Sequence, residues 1–314
     1  MKPLTHFKTT KVLRNIFLSL GVIFALTITA HAQNLYVSTQ RPESLGGHAI
    51  LEFTPSGGQS TYATGLTAPR GLAFDSIGNL FAAHNPEPDD IEIGRVLKFN
   101  LRNKVSTVGS TAKFFFAGLA VDIAGNAYVM ATDDNSPTAA GTIFKFTPSG
   151  ERIVFGSVPG TPNATQANWG LAFDSAGNLY AADGNAQTIY EFAPNGTRTV
   201  FVGPSAFAPG ESPVGLAFDS IGNLFVSIET FSDPGADSVV YFSPTRVKST
   251  FATGLTFPRG LAFDGSGNLF VAEANAIPGG DILKFQFPFS PGVPPTVFAS
   301  GFGRPEFLTF GPPR

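Results

Sequence analysis

Apolar and polar residues alternate along this chain in short runs, each stopped by Gly, Pro, Asn or Asp. Ile143-Phe144-Lys145-Phe146 alternates and then meets Thr147-Pro148-Ser149-Gly150. Leu72-Ala73-Phe74 meets Asp75-Ser76-Ile77-Gly78-Asn79 before Leu80-Phe81 resumes. A period of two bounded by turn residues predicts short strands joined by tight turns. The composition suits this reading, with 35 Gly, 25 Pro and only 14% charged residues.

The runs repeat. Gly-Leu-Ala recurs at Gly71, Gly118, Gly170, Gly215 and Gly260, at spacings of 47, 52, 45 and 45 residues, and each copy leads into Asp-x-x-Gly-Asn. Those turns span Asp75 to Asn79, Asp122 to Asn126, Asp174 to Asn178, Asp219 to Asn223 and Asp264 to Asn268. The alternating strand of 143–146 has relatives at 96–99, 189–196, 239–244 and 282–285, and a last apolar segment such as 199–202 or 249–252 closes the unit. Four short strands per roughly 46 residues is the period of a propeller blade. At the ends, Asn34-Leu35-Tyr36-Val37 and residues 50–57 read as second and third strands lacking a first, while Pro305-Glu306-Phe307-Leu308-Thr309-Phe310 reads as a first strand lacking partners. Pairing the two hides the edges that an open array exposes. The expectation is an all-β, six-bladed β-propeller of four-stranded antiparallel blades, closed by N- and C-terminal strands in one blade. In the repeated turn, Asp accepts backbone N–H bonds and Gly takes the positive-φ place, so the five Asp are read as structural. The ligand spacing of an Asp-rich calcium loop is missing.

These phrases resemble the NHL-repeat propellers and their relatives, among them gluconolactonase and regucalcin, streptogramin B lyase and the peptidyl-hydroxyglycine amidating lyases. The resemblance covers essentially all of residues 33–314 and is specific for fold. It is open on activity, because the same scaffold serves binding proteins, hydrolases and lyases.

Composition narrows the partners. Lys2, Lys8, Lys11 and Arg14 precede an apolar run over 16–28 and then Ala30-His31-Ala32, the pattern of a cleaved export signal. Residues 1–32 are therefore expected to be removed, leaving a secreted chain, periplasmic or extracellular, that is not inserted in a membrane. It would carry 16 basic and 23 acidic residues, a charge of −7. With no basic run, nucleic acid is not an expected partner. The absence of cysteine excludes disulfides, thiol catalysis and Cys-ligated zinc. A core rich in the chain's 32 Phe must hold the fold, and a monomer is expected.

Antiparallel strands put the short uniform turns on one side of the ring. The other side receives the variable loops 84–94, 132–141, 229–237 and 273–280, where binding chemistry is expected. Two residue columns border that side near the channel. The residue before each repeat glycine reads Arg70, Ala117, Trp169, Val214, Arg259 and, in the closing blade, Glu306. The residue ending each second strand reads Thr39, His84, Ala131, Asp183, Ile228 and Glu273. Closure makes Arg259, Glu306 and Arg70 neighbours. They read either as one charged wall of a small-ligand pocket or as an ion-pair cluster holding the closure blade. The ligand candidates are thus Arg70, His84, Trp169, Asp183, Arg259, Glu273 and Glu306.

Resemblance to the amidating lyases implies a zinc site of several His, but only His48 and His84 follow the leader. Resemblance to gluconolactonase implies a divalent cation such as calcium, for which Asn168, Glu306 and Asp183 are the candidates. Val214 and Arg259 stand where that family places an Asp, and Arg259 would repel a cation. Resemblance to streptogramin lyase rests on Leu269-Phe270-Val271-Ala272-Glu273, without the His base in the C-terminal part of the ring. The expectation is a binding module for a protein, glycan or small molecule. A metal-dependent lactonase is the alternative, and a streptogramin-lyase-like enzyme is the reading after that.

Overall fold

A computed structural model describes residues 33–40, 48–85, 93–132, 140–160, 170–230, 235–274, 279–290 and 292–312. The expected leader, and most of the variable loops, lie outside them. The described residues form six four-stranded antiparallel sheets arranged as propeller blades. Their innermost strands are Leu72–Phe74, Phe115–Val121, Leu171–Phe173, Glu211–Phe218, Pro258–Phe263 and Arg304–Phe310, heading blades one to six in that order. Blade six runs Arg304–Phe310, Leu35–Gln40, Ala49–Phe53, Gln59–Ala63, so the terminal strands pair as the sequence predicts. Among the described residues no helix is long and apolar enough to cross a membrane.

The repeat phrases have physical work at both ends of the inner strands. In each Asp-x-x-Gly-Asn turn the Asp Oδ1 accepts the N–H groups two and four residues on, as Asp219 does from Ile221 (3.0 Å) and Asn223 (2.8 Å), while Oδ2 accepts the Asn side chain. At the other end the repeat glycine allows adjacent inner strands to touch. Gly71 N–H donates to the Ala117 carbonyl at 2.9 Å, and a Cβ on Gly215 would overlap the Arg259 carbonyl. Ser227 ties that second contact, accepting from Gly215 N–H and donating to the Arg259 carbonyl, both at 2.7 Å.

The aromatic residue two positions after the repeat's Asn wedges between blades. Tyr128 packs edge-on against Phe155 of its own blade and Phe173 of the next. Tyr180, Phe225, Phe270 and Tyr36 repeat that trio with Phe201 and Phe218, Phe251 and Phe263, Phe298 and Phe310, and Tyr62 and Phe74. Each buried ring contributes roughly 2–3 kcal/mol of burial, with about 0.5–1.5 kcal/mol more per edge-to-face pair. Six equivalent leucines, Leu72, Leu119, Leu171, Leu216, Leu261 and Leu308, are buried beside a central cavity of about 290 Å³ lined by all six inner strands.

Candidate functional site

The end of this cavity marked by Gly170, Gly215 and Gly260 is where the inner strands begin, on the loop-rich side. The inner strand of blade five enters it through a bulge: Pro258 pairs with Glu273 and Leu261 with Val271, leaving Arg259 and Gly260 between them. A bulge of this kind re-aims a side chain. Arg259 is 5% exposed and lies between Glu229, at the end of the second strand of blade four, and Glu306 of blade six. Its Nε donates to Glu229 Oε1 at 2.9 Å, and its Nη1 donates to Glu306 Oε2.

Two further guanidiniums share Glu306, which is fully buried. Arg70 Nη1 lies 3.7 Å from Oε2 and Arg304 Nε lies 3.2 Å from Oε1. The structure thus gathers Arg70, Arg259 and Glu306, and adds Glu229 and Arg304. Burial opposes ionisation of Glu306, but Arg259, Arg70 and Arg304 outweigh it and hold its carboxyl below the usual range. Burial raises the Glu229 carboxyl despite Arg259 beside it, with the nearby charge of Glu306 adding to the rise. Burial lowers Arg70 and Arg304, and each is lowered further by neighbouring arginines while Glu306 compensates in part.

The second column does different work. His84 Nε2 accepts the Thr67 N–H at 3.0 Å, and Glu273 Oε1 accepts the equivalent Thr256 N–H at 2.7 Å. These are the loops Thr67-Ala68-Pro69-Arg70 and Thr256-Phe257-Pro258-Arg259, whose Ala68 and Phe257 have φ of 38° and 48°. Asp237 Oδ2 accepts the Phe257 N–H at 2.7 Å. His84 and Glu273 therefore hold the turns that deliver Arg70 and Arg259. Burial, then Arg95, lowers the His84 imidazole, and burial raises the Glu273 carboxyl.

Asp183 stands apart in blade three, across the ring from Glu306. It is fully buried; Oδ1 accepts the Ala186 N–H at 2.8 Å, and Oδ2 makes no hydrogen bond. Burial pushes its carboxyl up to about 6, against the pull of the Ala186 and Asn185 N–H groups. Ala117 and Val214 are buried and supply the apolar positions of blades two and four. Trp169 and Asn168 lie outside the described residues.

Sequence reasoning missed Glu229 and Arg304. Glu229 follows Ile228 by one residue and reads as the start of a variable loop in the sequence, but its strand runs Leu224–Thr230. Arg304 precedes Glu306 by two, and the period-two alternation of a strand was the available signal. Bulges at the heads of the inner strands hid the rest.

The described residues do not fit a divalent cation at this mouth. Glu306 spends both oxygens on guanidiniums, and no group of three His, Asp or Glu side chains converges among the described residues. Hard cations take several oxygen donors and are repelled by three arginines.

No protein-family model matches the chain, and no curated protein sequence does. Solved structures are similar in fold. Virginiamycin B lyase from Staphylococcus aureus is 12% identical, with a TM-score of 0.54 over 82% of this chain and 81% of its own. Regucalcin from Agrobacterium tumefaciens, a calcium-binding protein, is 12% identical, with 0.57 over 77% and 83%. A gluconolactonase from Xanthomonas campestris is 18% identical, with 0.53 over 77% and 88%. The chain is thus a six-bladed β-propeller whose structural neighbours are of the gluconolactonase, regucalcin and virginiamycin B lyase kind.

Proposed function

We propose that this chain is a small-molecule propeller of the lactonase kind, binding a lactone or related cyclic ester at the channel mouth and hydrolysing it. The observation that carries the reading is the cluster of three arginines around the buried Glu306, at one end of a cavity of about 290 Å³ lined mostly by apolar residues. A few converging polar groups over an apolar wall suit a small ligand. The gluconolactonase and virginiamycin B lyase among the structural neighbours support this over the expected protein- or glycan-binding module.

The Asp183 carboxyl, pushed up to about 6, is ionised at neutral pH and basic enough to take a proton from water. The water oxygen bonds to the lactone carbonyl carbon beside Asp183, while the arginines across the ring orient the ligand's polar groups. The ring C–O bond then breaks and the proton passes to the departing alkoxide, giving the open hydroxy acid. The test is acid release from a panel of five- and six-membered sugar lactones, followed by pH-stat. The expected result is a rate above the spontaneous one, half-maximal near pH 6 and reduced roughly a hundredfold in Asp183→Asn. No rate above the spontaneous one with any lactone overturns the proposal.

We also infer export, supported by the basic and apolar pattern of residues 1–32. N-terminal sequencing of protein exported by a bacterial host is expected to begin near Gln33, and an uncleaved chain retained in the cells would refute it.

A further inference from the structure

We propose that the central channel takes an unbranched alkyl chain borne by the ligand and threaded past Phe307, so that the compound bound at the mouth is a lipophilic ring compound and not a sugar. The inference rests on the small-molecule reading of the site, but not on hydrolysis.

The first observation is the lining. From the loop-rich end the cavity passes Gly170, Gly215, Gly260 and Phe307, then the six leucines, then Ala73, Ala120, Ala262 and Thr309. It ends at Phe74, Val121, Phe173 and Phe310. Thr309 brings the single polar side chain among these lining residues. Hydroxyls on a sugar chain would lose their hydration there for almost no side-chain partners, whereas methylenes gain by leaving water. The other polar atoms are backbone groups, and at the mouth two of them already bond across neighbouring inner strands. Gly71 N–H donates to Ala117 at 2.9 Å and Gly170 N–H to Val214 at 2.8 Å.

The second observation is shape. From Gly170 to Phe173 an inner strand advances about 10 Å, a depth that an extended chain of roughly eight carbons spans. A volume of about 290 Å³ lies at the small end for a ligand site, which suits a slim substituent.

The third observation is Phe307. Gly260-Leu261-Ala262-Phe263 corresponds to Phe307-Leu308-Thr309-Phe310 in blade six, so a phenylalanine stands where blades one to five carry glycine. Its backbone is clamped by the fully buried Ser38, whose Oγ accepts the Phe307 N–H at 3.1 Å and donates to the Phe307 carbonyl at 3.3 Å. An aromatic residue is thereby fixed at the level where the channel opens, forming an apolar collar for a chain that enters.

Isothermal titration of residues 33–314 with pyrrolidinones alkylated beside the ring nitrogen tests this. These lactams keep the five-membered ring and carbonyl of a lactone and resist hydrolysis. The series carries methyl, butyl, hexyl and octyl chains, with a trihydroxybutyl chain as the hydroxylated counterpart. Affinity is expected to rise about threefold per methylene up to octyl, and the hydroxylated compound to bind about tenfold more weakly than the butyl one. Phe307→Ala is expected to weaken the octyl compound about tenfold and the methyl compound less than about twofold. Thr309→Val trades a hydroxyl for a methyl group and is expected to leave the octyl compound as tight or tighter; it keeps the test open if Phe307→Ala does not fold. Affinity independent of chain length, tighter binding of the hydroxylated chain, octyl binding untouched by Phe307→Ala, or octyl binding lost in Thr309→Val overturns the alkyl channel. So does the absence of binding by every lactam. Octyl binding without hydrolysis of any lactone removes the proposed reaction and keeps the alkyl channel. Hydrolysis of sugar lactones without chain-length dependence does the reverse.

Discussion

Arg259→Met asks whether the arginine cluster is held together as its geometry says. Glu229 is fully buried, and Arg259 Nε is its hydrogen-bond donor; Glu229 Oε2 makes no hydrogen bond. Glu306 keeps Arg70 and Arg304 after the substitution, so the loss falls on Glu229. Without Arg259 that carboxyl must fold either charged and unpaired or protonated. Taking up a proton at pH 7, against an ordinary Glu value of about 4.3, costs about 4 kcal/mol. This agrees with the roughly 3–5 kcal/mol for breaking a buried ion pair from one side. The variant's Glu229 titrates above the ordinary value, so the loss is small near pH 4 and grows by about 1.4 kcal/mol per pH unit above it. Adding Glu229→Gln removes the stranded charge and is expected to recover most of the loss. Equilibrium urea unfolding of both variants and the wild type, at pH 5, 6 and 7, measures each term. A loss under about 1 kcal/mol, no growth with pH, or no recovery by Glu229→Gln refutes the reasoning.

Other consequences follow from single residues. Asp183 keeps its proton up to about pH 6 when folded but releases it near the ordinary Asp value of 3.8 when unfolded, so folding is favoured in acid. The wild type then loses about 3 kcal/mol relative to Asp183→Asn as pH rises from 4 to above 6, read as the difference in urea midpoints; a constant difference contradicts this. Gly215→Ala places a Cβ on the Arg259 carbonyl and is expected to cost about 1–3 kcal/mol by urea unfolding, with wild-type stability refuting the close contact. Asp219→Ala removes the acceptor of two N–H groups and one amide and is expected to cost about 1–2 kcal/mol. Ile221→Ser in the same turn, 77% exposed, is expected to stay within about 0.5 kcal/mol, and equal losses would deny the Asp its role.

The ring was legible because each blade repeats a local necessity. Asp-x-x-Gly-Asn needs its Asp for two N–H groups and its Gly for a positive φ, as at Gly222 with 88°, and Gly-Leu-Ala needs a glycine where strands touch. Closure was legible because a first strand at one end and second and third strands at the other have no partners except each other. The meeting of Arg70, Arg259 and Glu306 followed from closure alone. Their partners did not, since Glu229 and Arg304 are presented by strand ends and bulges that no repeat phrase records. The roles of His84 and Glu273 were hidden for another reason. Each accepts a backbone N–H from a loop 17 residues earlier, a contact that leaves no mark on residue type.

The most direct test of the account is a crystal structure of residues 33–314 grown with calcium chloride. The expected density shows Arg259 still between Glu229 and Glu306 and no cation on Glu306. A calcium ion ligated by Glu306, with the guanidiniums displaced, would contradict it.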